Sequence, residues 1–162
     1  MLDQERLKQL LSYDPEIGEF RWIAPTDRMR KKGAVAGFLD AKRYRKIKID
    51  GVCHYAHRLA WLYVHGEFPK LLIDHCNRDP SDNRMENLRE ATYGENVANS
   101  VIRKSKTGYR GVKKNSRGAM FSASIMKNGR HHFLGNYKTK EDAAAAYNRA
   151  ARSLFGAFAR AD

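Results

Sequence analysis

Cysteine is scarce in this chain of 162 residues: Cys53 and Cys76 are the only two. Neither belongs to a Cys-x-x-Cys pair, the short-range ligand spacing that structural zinc favours. Cys53 lies close to His54 and His57, and Cys76 follows His75, but the expectation is two reduced, buried thiols rather than a zinc centre. Long apolar runs are also missing. No stretch of roughly 18 apolar residues exists, so no segment is suited to crossing a bilayer. The start, Met1-Leu2-Asp3-Gln4-Glu5-Arg6, is polar and lacks the apolar core of a signal peptide. The expected location is therefore the cytoplasm, where the chain is made. Acidic residues run out beyond residue 100. Residues 101–162 carry 14 Lys/Arg against 3 acids, whereas residues 1–100 carry 17 against 15. The formal net charge of +13 is thus concentrated in the last third of the chain. A nearly neutral segment joined to a strongly basic one suggests a module that grips a polyanion attached to one with another task.

The densest chemistry lies in the nearly neutral part. Ile73-Asp74-His75 is followed by Asn83, Asn87-Leu88-Arg89, Asn96 and Asn99, with turn residues Asp79-Pro80 between them. A carboxylate, an imidazole and several carboxamides in one window can hold a hard divalent cation beside a base. That is the minimum for hydrolysing a phosphodiester at neutral pH.

Periodicity places these residues on elements. Residues 2–11 read as a short amphipathic helix, and Glu19-Phe20-Arg21-Trp22-Ile23 as an alternating strand. Residues 44–51 alternate and end in Asp50-Gly51, a hairpin signal, with 52–56 as the return strand. Residues 57–65 read as a buried helix ended by Gly66 and Pro69. His57 and His65, at its ends, rank as structural residues below His75. Leu71-Leu72-Ile73 forms a short strand that delivers Asp74 and His75 to its end. Asn87-Leu88-Arg89 returns, and a helix from Ala91-Thr92 carries Asn96 and Asn99. Residues 99–108 lose apolar periodicity. Beyond them, residues 109–114, 121–127 and 130–137 read as three strands, with turns at Arg117-Gly118 and Asn128-Gly129. Thr139-Lys140-Glu141-Asp142 opens an alanine-rich helix that runs to Gly156.

Two resemblances follow from these motifs. His57-Arg58-Leu59, Asp74-His75, Asn83, Asn87-Leu88 and Asn96 resemble the HNH endonucleases of phages and mobile introns. Gly108-Tyr109-Arg110-Gly111-Val112, Leu134-Gly135 and Ala143-Ala144-Ala145-Ala146-Tyr147 resemble the APETALA/ethylene-response-factor DNA-binding domain. That domain is familiar from plant transcription factors and also occurs fused behind phage HNH nucleases. Together they imply an α+β chain, with a ββα-metal nuclease domain followed by a three-stranded antiparallel sheet packed on one helix. The domains would be residues 1–100, a linker at 101–108, and residues 109–162.

The first resemblance implies that His75 is the general base, that Asn87 braces the loop and orients the base, and that Asp74 and Asn96 hold one divalent cation. Asn96 stands where many relatives have a final histidine. Oxygen donors favour Mg²⁺ or Mn²⁺. Asn99 falls outside the ligand set, as a helix-surface or capping residue. The implied activity is hydrolysis of double-stranded DNA at a preferred site, of the homing type, leaving 5′-phosphate and 3′-hydroxyl ends. The second resemblance implies that the sheet lies in the major groove. Arg110, Lys113, Asn115 and Arg117 are then the leading DNA contacts, followed by Arg130 and His131. The second strand departs from that family, with Ser122, Ser124 and Met126 where charged or long polar residues are usual, so family base preferences do not transfer. A catalytically inactive DNA-binding regulator is the alternative reading; an RNA-directed protein lacks exposed aromatic stacking motifs. No heptad pattern or dimer face is visible, so no obligate protein partner is expected.

Overall fold

Short local signals set each element of the computed structural model, which describes residues 2–24, 31–100, 106–115 and 120–160. Among them are four α-helices and several small antiparallel sheets. The chain forms two compact units, Met1–Ala91 and Thr92–Asp162.

The first unit opens with α1 (Gln4–Leu10), capped by the Asp3 carboxylate, which accepts from the Arg6 N–H at 2.8 Å. The helix is shorter than its apolar pattern predicts, because Leu11 already starts β1 (Leu11–Asp14). Leu11 and Tyr13 are buried while Ser12 and Asp14 are exposed, a period of two that suits pairing with β2 (Glu19–Trp22). The turn between them needs Gly18 (φ +73°). A Cβ there would stand 2.5 Å from the Arg84 nitrogen. This hairpin is thus moulded against residues 83 and 84 later in the chain.

β3 (Phe38–Leu39), β4 (Arg45–Ile49) and β5 (Val52–Tyr55) form a three-stranded sheet. Asp50 and Gly51 both have positive φ, as the expected tight turn requires. Ile47 and Ile49 point inward, and Ala56 leaves the sheet to begin α2 (Ala56–His65), which ends at left-handed Gly66. The inward side chains of Leu7, Leu11, Phe20, Ile47, Leu59 and Leu62 make the core, with Tyr13 stacked on Phe20 at 4.7 Å. Truncating a ring such as Phe20 to alanine in such a core costs about 3–5 kcal/mol. β6 (Leu72–His75) and β7 (Leu88–Ala91) then pair antiparallel, with Asp74 opposite Arg89 and His75 opposite Leu88. The returning strand starts one residue later than expected, since Asn87 closes a 3-10 turn over Met85–Asn87.

The second unit begins with α3 (Tyr93–Asn99). Thr92 and Glu95 form a capping box at its start, each satisfying a backbone N–H of the other. β8 (Val112–Lys114), β9 (Phe121–Lys127) and β10 (Arg130–Tyr137) make an antiparallel sheet with β9 in the centre. β8 is shorter than expected because the chain turns at Gly111 (φ +67°). A Cβ on Gly111 would collide with the Tyr147 ring and the Ser124 carbonyl. Asn128-Gly129 makes the expected tight turn, both with positive φ, whereas Arg117-Gly118 lies outside the described residues. α4 (Lys140–Phe155) buries Ala143, Ala144, Ala146 and Ala151. Ala143 and Ala144 meet Val112 and Ala123 in a small core. Small side chains let the helix lie close to the sheet.

Candidate active site and nucleic-acid interface

β6 carries Asp74 and His75 on successive positions, so their side chains leave opposite faces of the strand. Both are buried. The Asp74 side chain is only 5% exposed, and its charge is met by the cross-strand neighbour Arg89. The guanidinium donates from Nε at 2.9 Å and from Nη2 at 2.8 Å, both to Asp74 Oδ2.

His75 sits in an aromatic enclosure. Its ring meets that of His57 edge-on at 5.2 Å, and Tyr44 stands 6.0 Å from His75 and 5.6 Å from His57. Tyr55 stacks on the far side of His57 at 5.3 Å. Burial pushes the His75 pKa below the usual imidazole value, opposed by the ring's hydrogen bonding to the Asn83 side chain and by the charges of Asp74, Asp82 and Asp79. Burial acts harder on His57, pushing it down to about 3, with the neighbouring His75 and Arg58 adding to the shift. Both imidazoles are therefore neutral at pH 7. His57 Nδ1 has no hydrogen-bond partner among the described residues.

Residues 76–84 loop away from this pair, and Asn87 holds the loop from inside. Its Oδ1 accepts from the Asn77 N–H at 2.9 Å, and its Nδ2 donates to the Asp82 carbonyl at 2.8 Å. Its own carbonyl accepts from Cys76 at 2.8 Å. Arg84 grips the Asp82 carboxylate through Nε at 3.0 Å and Nη2 at 2.8 Å. That contact lowers the Asp82 pKa to about 2. Asn83 is almost wholly buried, and its carbonyl accepts from the Tyr13 hydroxyl at 2.6 Å. Burial first, then Asp14 and Asp82, push that phenol above its ordinary pKa.

Asp74, His75 and Asn87 thus come together in the first unit. Asn96 lies in the second, half-buried on α3, donating its backbone N–H to Thr92 at 3.0 Å. Asn99 is buried, which corrects its reading as a surface residue. Cys53 and Cys76 are exposed rather than buried. Cys53 takes an outward position in a three-stranded sheet and Cys76 the first residue past a strand end, so neither reaches a core. Among the described residues, no group of three or more His, Cys, Asp or Glu could hold a metal ion. His65 is exposed against Trp61. The structure adds two neighbours to Asp74 and His75, namely Arg89 and His57, the latter buried as its reading as a structural histidine expects. Arg89 is signalled only by the strand register, and His57 only by its place opposite the end of β6.

In the second unit, the expected DNA contacts fall in three settings. Lys113, Asn115 and His131 alternate with the core-facing residues of the sheet, so they share the face turned away from α4. Asn115 Nδ2 donates to Asn136 Oδ1 at 3.2 Å, while Lys113, Arg130 and His131 are exposed. Arg110 is differently placed: Nη1 donates to the Ala98 carbonyl at 2.6 Å and Nη2 to the Ser100 carbonyl at 3.0 Å. Its guanidinium ties the C-terminal end of α3 to the strand β8. Arg117 lies outside the described residues.

Comparison with known proteins adds to this geometry. Residues 54–98 match the HNH endonuclease family. Over 105 residues, 64% of the chain, the sequence is 36% identical to a protein named as an uncharacterized HNH endonuclease of Acanthamoeba polyphaga mimivirus. The match covers 54% of that protein, so the chain spans about half its length. Over 108 residues, again 64% of the chain, it is 31% identical to Protein 3.8 of Escherichia phage T7, covering 87% of it. The matched family segment contains His57, Asp74, His75, Asn87 and Asn96.

Proposed function

We propose that the chain is a metal-dependent DNA endonuclease of the homing type, with His75 as general base, a reading that starts from the match of residues 54–98 to the HNH endonuclease family. The carrying observation is a buried, neutral imidazole at a strand end beside Asp74, inside the family-matched segment. A neutral imidazole can take the proton of an attacking water. As the water oxygen bonds to phosphorus, the P–O3′ bond breaks and its electron pair leaves on the 3′ oxygen, giving 5′-phosphate and 3′-hydroxyl ends. Asn87 holds the adjoining loop, and with it Asn83, against His75.

The resemblance to HNH nucleases implies one divalent metal ion. Asp74 and Asn96 are the proposed donors, and their carboxylate and amide oxygens suit Mg²⁺ or Mn²⁺. When bound, such a cation supplies positive charge to the phosphate and the leaving oxygen. We assign residues 1–100 to the nuclease domain, 101–108 to a linker, and 109–162 to an APETALA/ethylene-response-factor-type module. That module would present its free sheet face to duplex DNA through Lys113, Asn115 and His131, with Arg130, off that face's register, and Arg117 as further contacts. The +11 excess of residues 101–162 supports this division. Arg110, engaged with α3, acts more as a strut than as a base reader.

The Asp74–Arg89 pair favours a second reading, in which the carboxylate is permanently neutralised and the protein is a DNA-binding regulator. Incubation with long duplex DNA separates the two. Cleavage that needs Mg²⁺ or Mn²⁺, is stopped by EDTA and is lost in His75→Ala with binding retained is expected of the nuclease. Cation-independent inertness on every duplex supports the regulator.

A further inference from the structure

The second unit carries a basic site that adjoins the free sheet face at Lys113. At the open edge of β8 lies a cavity of about 760 Å³, rimmed by Lys106, Lys113, Lys114 and Lys140 over a floor that includes Val112 and Phe121. Four lysines line this one hollow, and like charges gathered in one place favour an anion among them. Lys106, Lys113 and Lys114 have no carboxylate partner among the described residues. Lys140 has the exposed Glu141 at 3.9 Å and stands over the Tyr109 ring at 5.8 Å. The fourth wall, Thr107, spends its hydroxyl on the Val112 carbonyl at 3.0 Å. The site therefore offers charge and apolar surface but little that could read a base edge.

We propose that this hollow is a clamp for the phosphodiester backbone of duplex DNA, held beside the groove that the free sheet face occupies. The inference rests on the reading that the second unit binds duplex DNA. Lysine is a flexible point charge suited to phosphate, and its methylenes can lie on Val112 and Phe121 while the ammonium reaches outward. Lys113 belongs to both surfaces, since it stands on the free face and on the rim. The clamp is indifferent to sequence and adds affinity and register.

The test uses the full chain carrying His75→Ala, in EDTA, with fluorescence anisotropy on two duplexes of unrelated sequence. Lys106→Met, Lys114→Met and Lys140→Met, singly and together, keep an apolar stem and remove the charge. Each is expected to make the slope of log K against log salt shallower by about 0.9 on B-DNA, and the triple variant by about 2.7. The loss should be equal on both duplexes, with the melting curve of the protein unchanged. A triple variant that keeps the parent slope, while Arg130→Met lowers it, overturns the clamp and leaves DNA binding intact. A parent protein that binds neither duplex overturns the DNA-binding reading itself.

Discussion

Replacing Asn87 by alanine removes the two side-chain hydrogen bonds that close the 76–84 loop, those to the Asn77 N–H and the Asp82 carbonyl. Each such bond contributes about 0.5–1.5 kcal/mol net, and a buried group left without its partner loses more. Asn77 is exposed and water can replace its partner, whereas Asp82 is half-buried and recovers less. The expected loss is therefore about 2 kcal/mol. Both tryptophans, Trp22 and Trp61, lie in the first unit, whereas tyrosines lie in both, so selectively excited tryptophan fluorescence reports the unfolding of the first unit. With a urea dependence of about 1–2 kcal/mol/M, the midpoint should fall by about 1–2 M. Asn87→Asp sharpens the case. It preserves the acceptor for Asn77 but turns an oxygen toward the Asp82 carbonyl, and should be at least as destabilised. An alanine variant with the parent midpoint would refute the bracing argument, whatever its effect on cleavage.

Other consequences follow from the same geometry. Arg89→Met leaves the Asp74 carboxylate buried without its guanidinium and should cost about 3–5 kcal/mol. If Asp74 holds a cation, Mn²⁺ should restore part of that loss in thermal melts, and no recovery over EDTA would remove it from the ligand set. His57 is neutral when folded down to about pH 3, whereas the unfolded chain takes up a proton near 6.5. Stability is thus fully present above pH 6.5 and lost as pH falls toward 3, by up to about 1.4 kcal/mol per unit from this group. His57→Phe should flatten that slope in urea titrations; an unchanged slope would mean that the ring is protonated when folded. Gly111→Ala forces a Cβ into Tyr147 and the Ser124 carbonyl, so it should lower the melting of the second unit by circular dichroism while tryptophan fluorescence stays unchanged.

The sequence made most elements readable because their signals are local. Asp50-Gly51 and Asn128-Gly129 demand positive φ, Gly66 ends α2, and Thr92 and Thr139 announce helices. Asp74, His75 and Asn87 could likewise be picked out, since each stands beside a short apolar strand. What escaped depends on distant pairing. β1 was hidden because Leu10 and Leu11 suit a helix face and a strand face equally, and only β2 decides between them. Arg89 became the partner of Asp74 through a register that no local pattern encodes. His57 looked like a helix-start histidine until the fold brought its ring against His75. The second resemblance implies Arg110 as a DNA contact, and no local pattern shows that it donates to the carbonyls of Ala98 and Ser100.

The Tyr13 hydroxyl on the Asn83 carbonyl, the Met85 N–H on Pro15 and the close fit of Gly18 against Arg84 bear on what could be transplanted from this protein. The family-matched segment starts at residue 54, after the hairpin that makes all three contacts. A graft or minimal peptide of 54–98 would carry Asp74, His75 and Asn87 but not the surface on which their loop is cast. The portable unit is therefore larger than the motif. An engineer moving this chemistry to another scaffold would have to bring the first two strands or design a substitute for them.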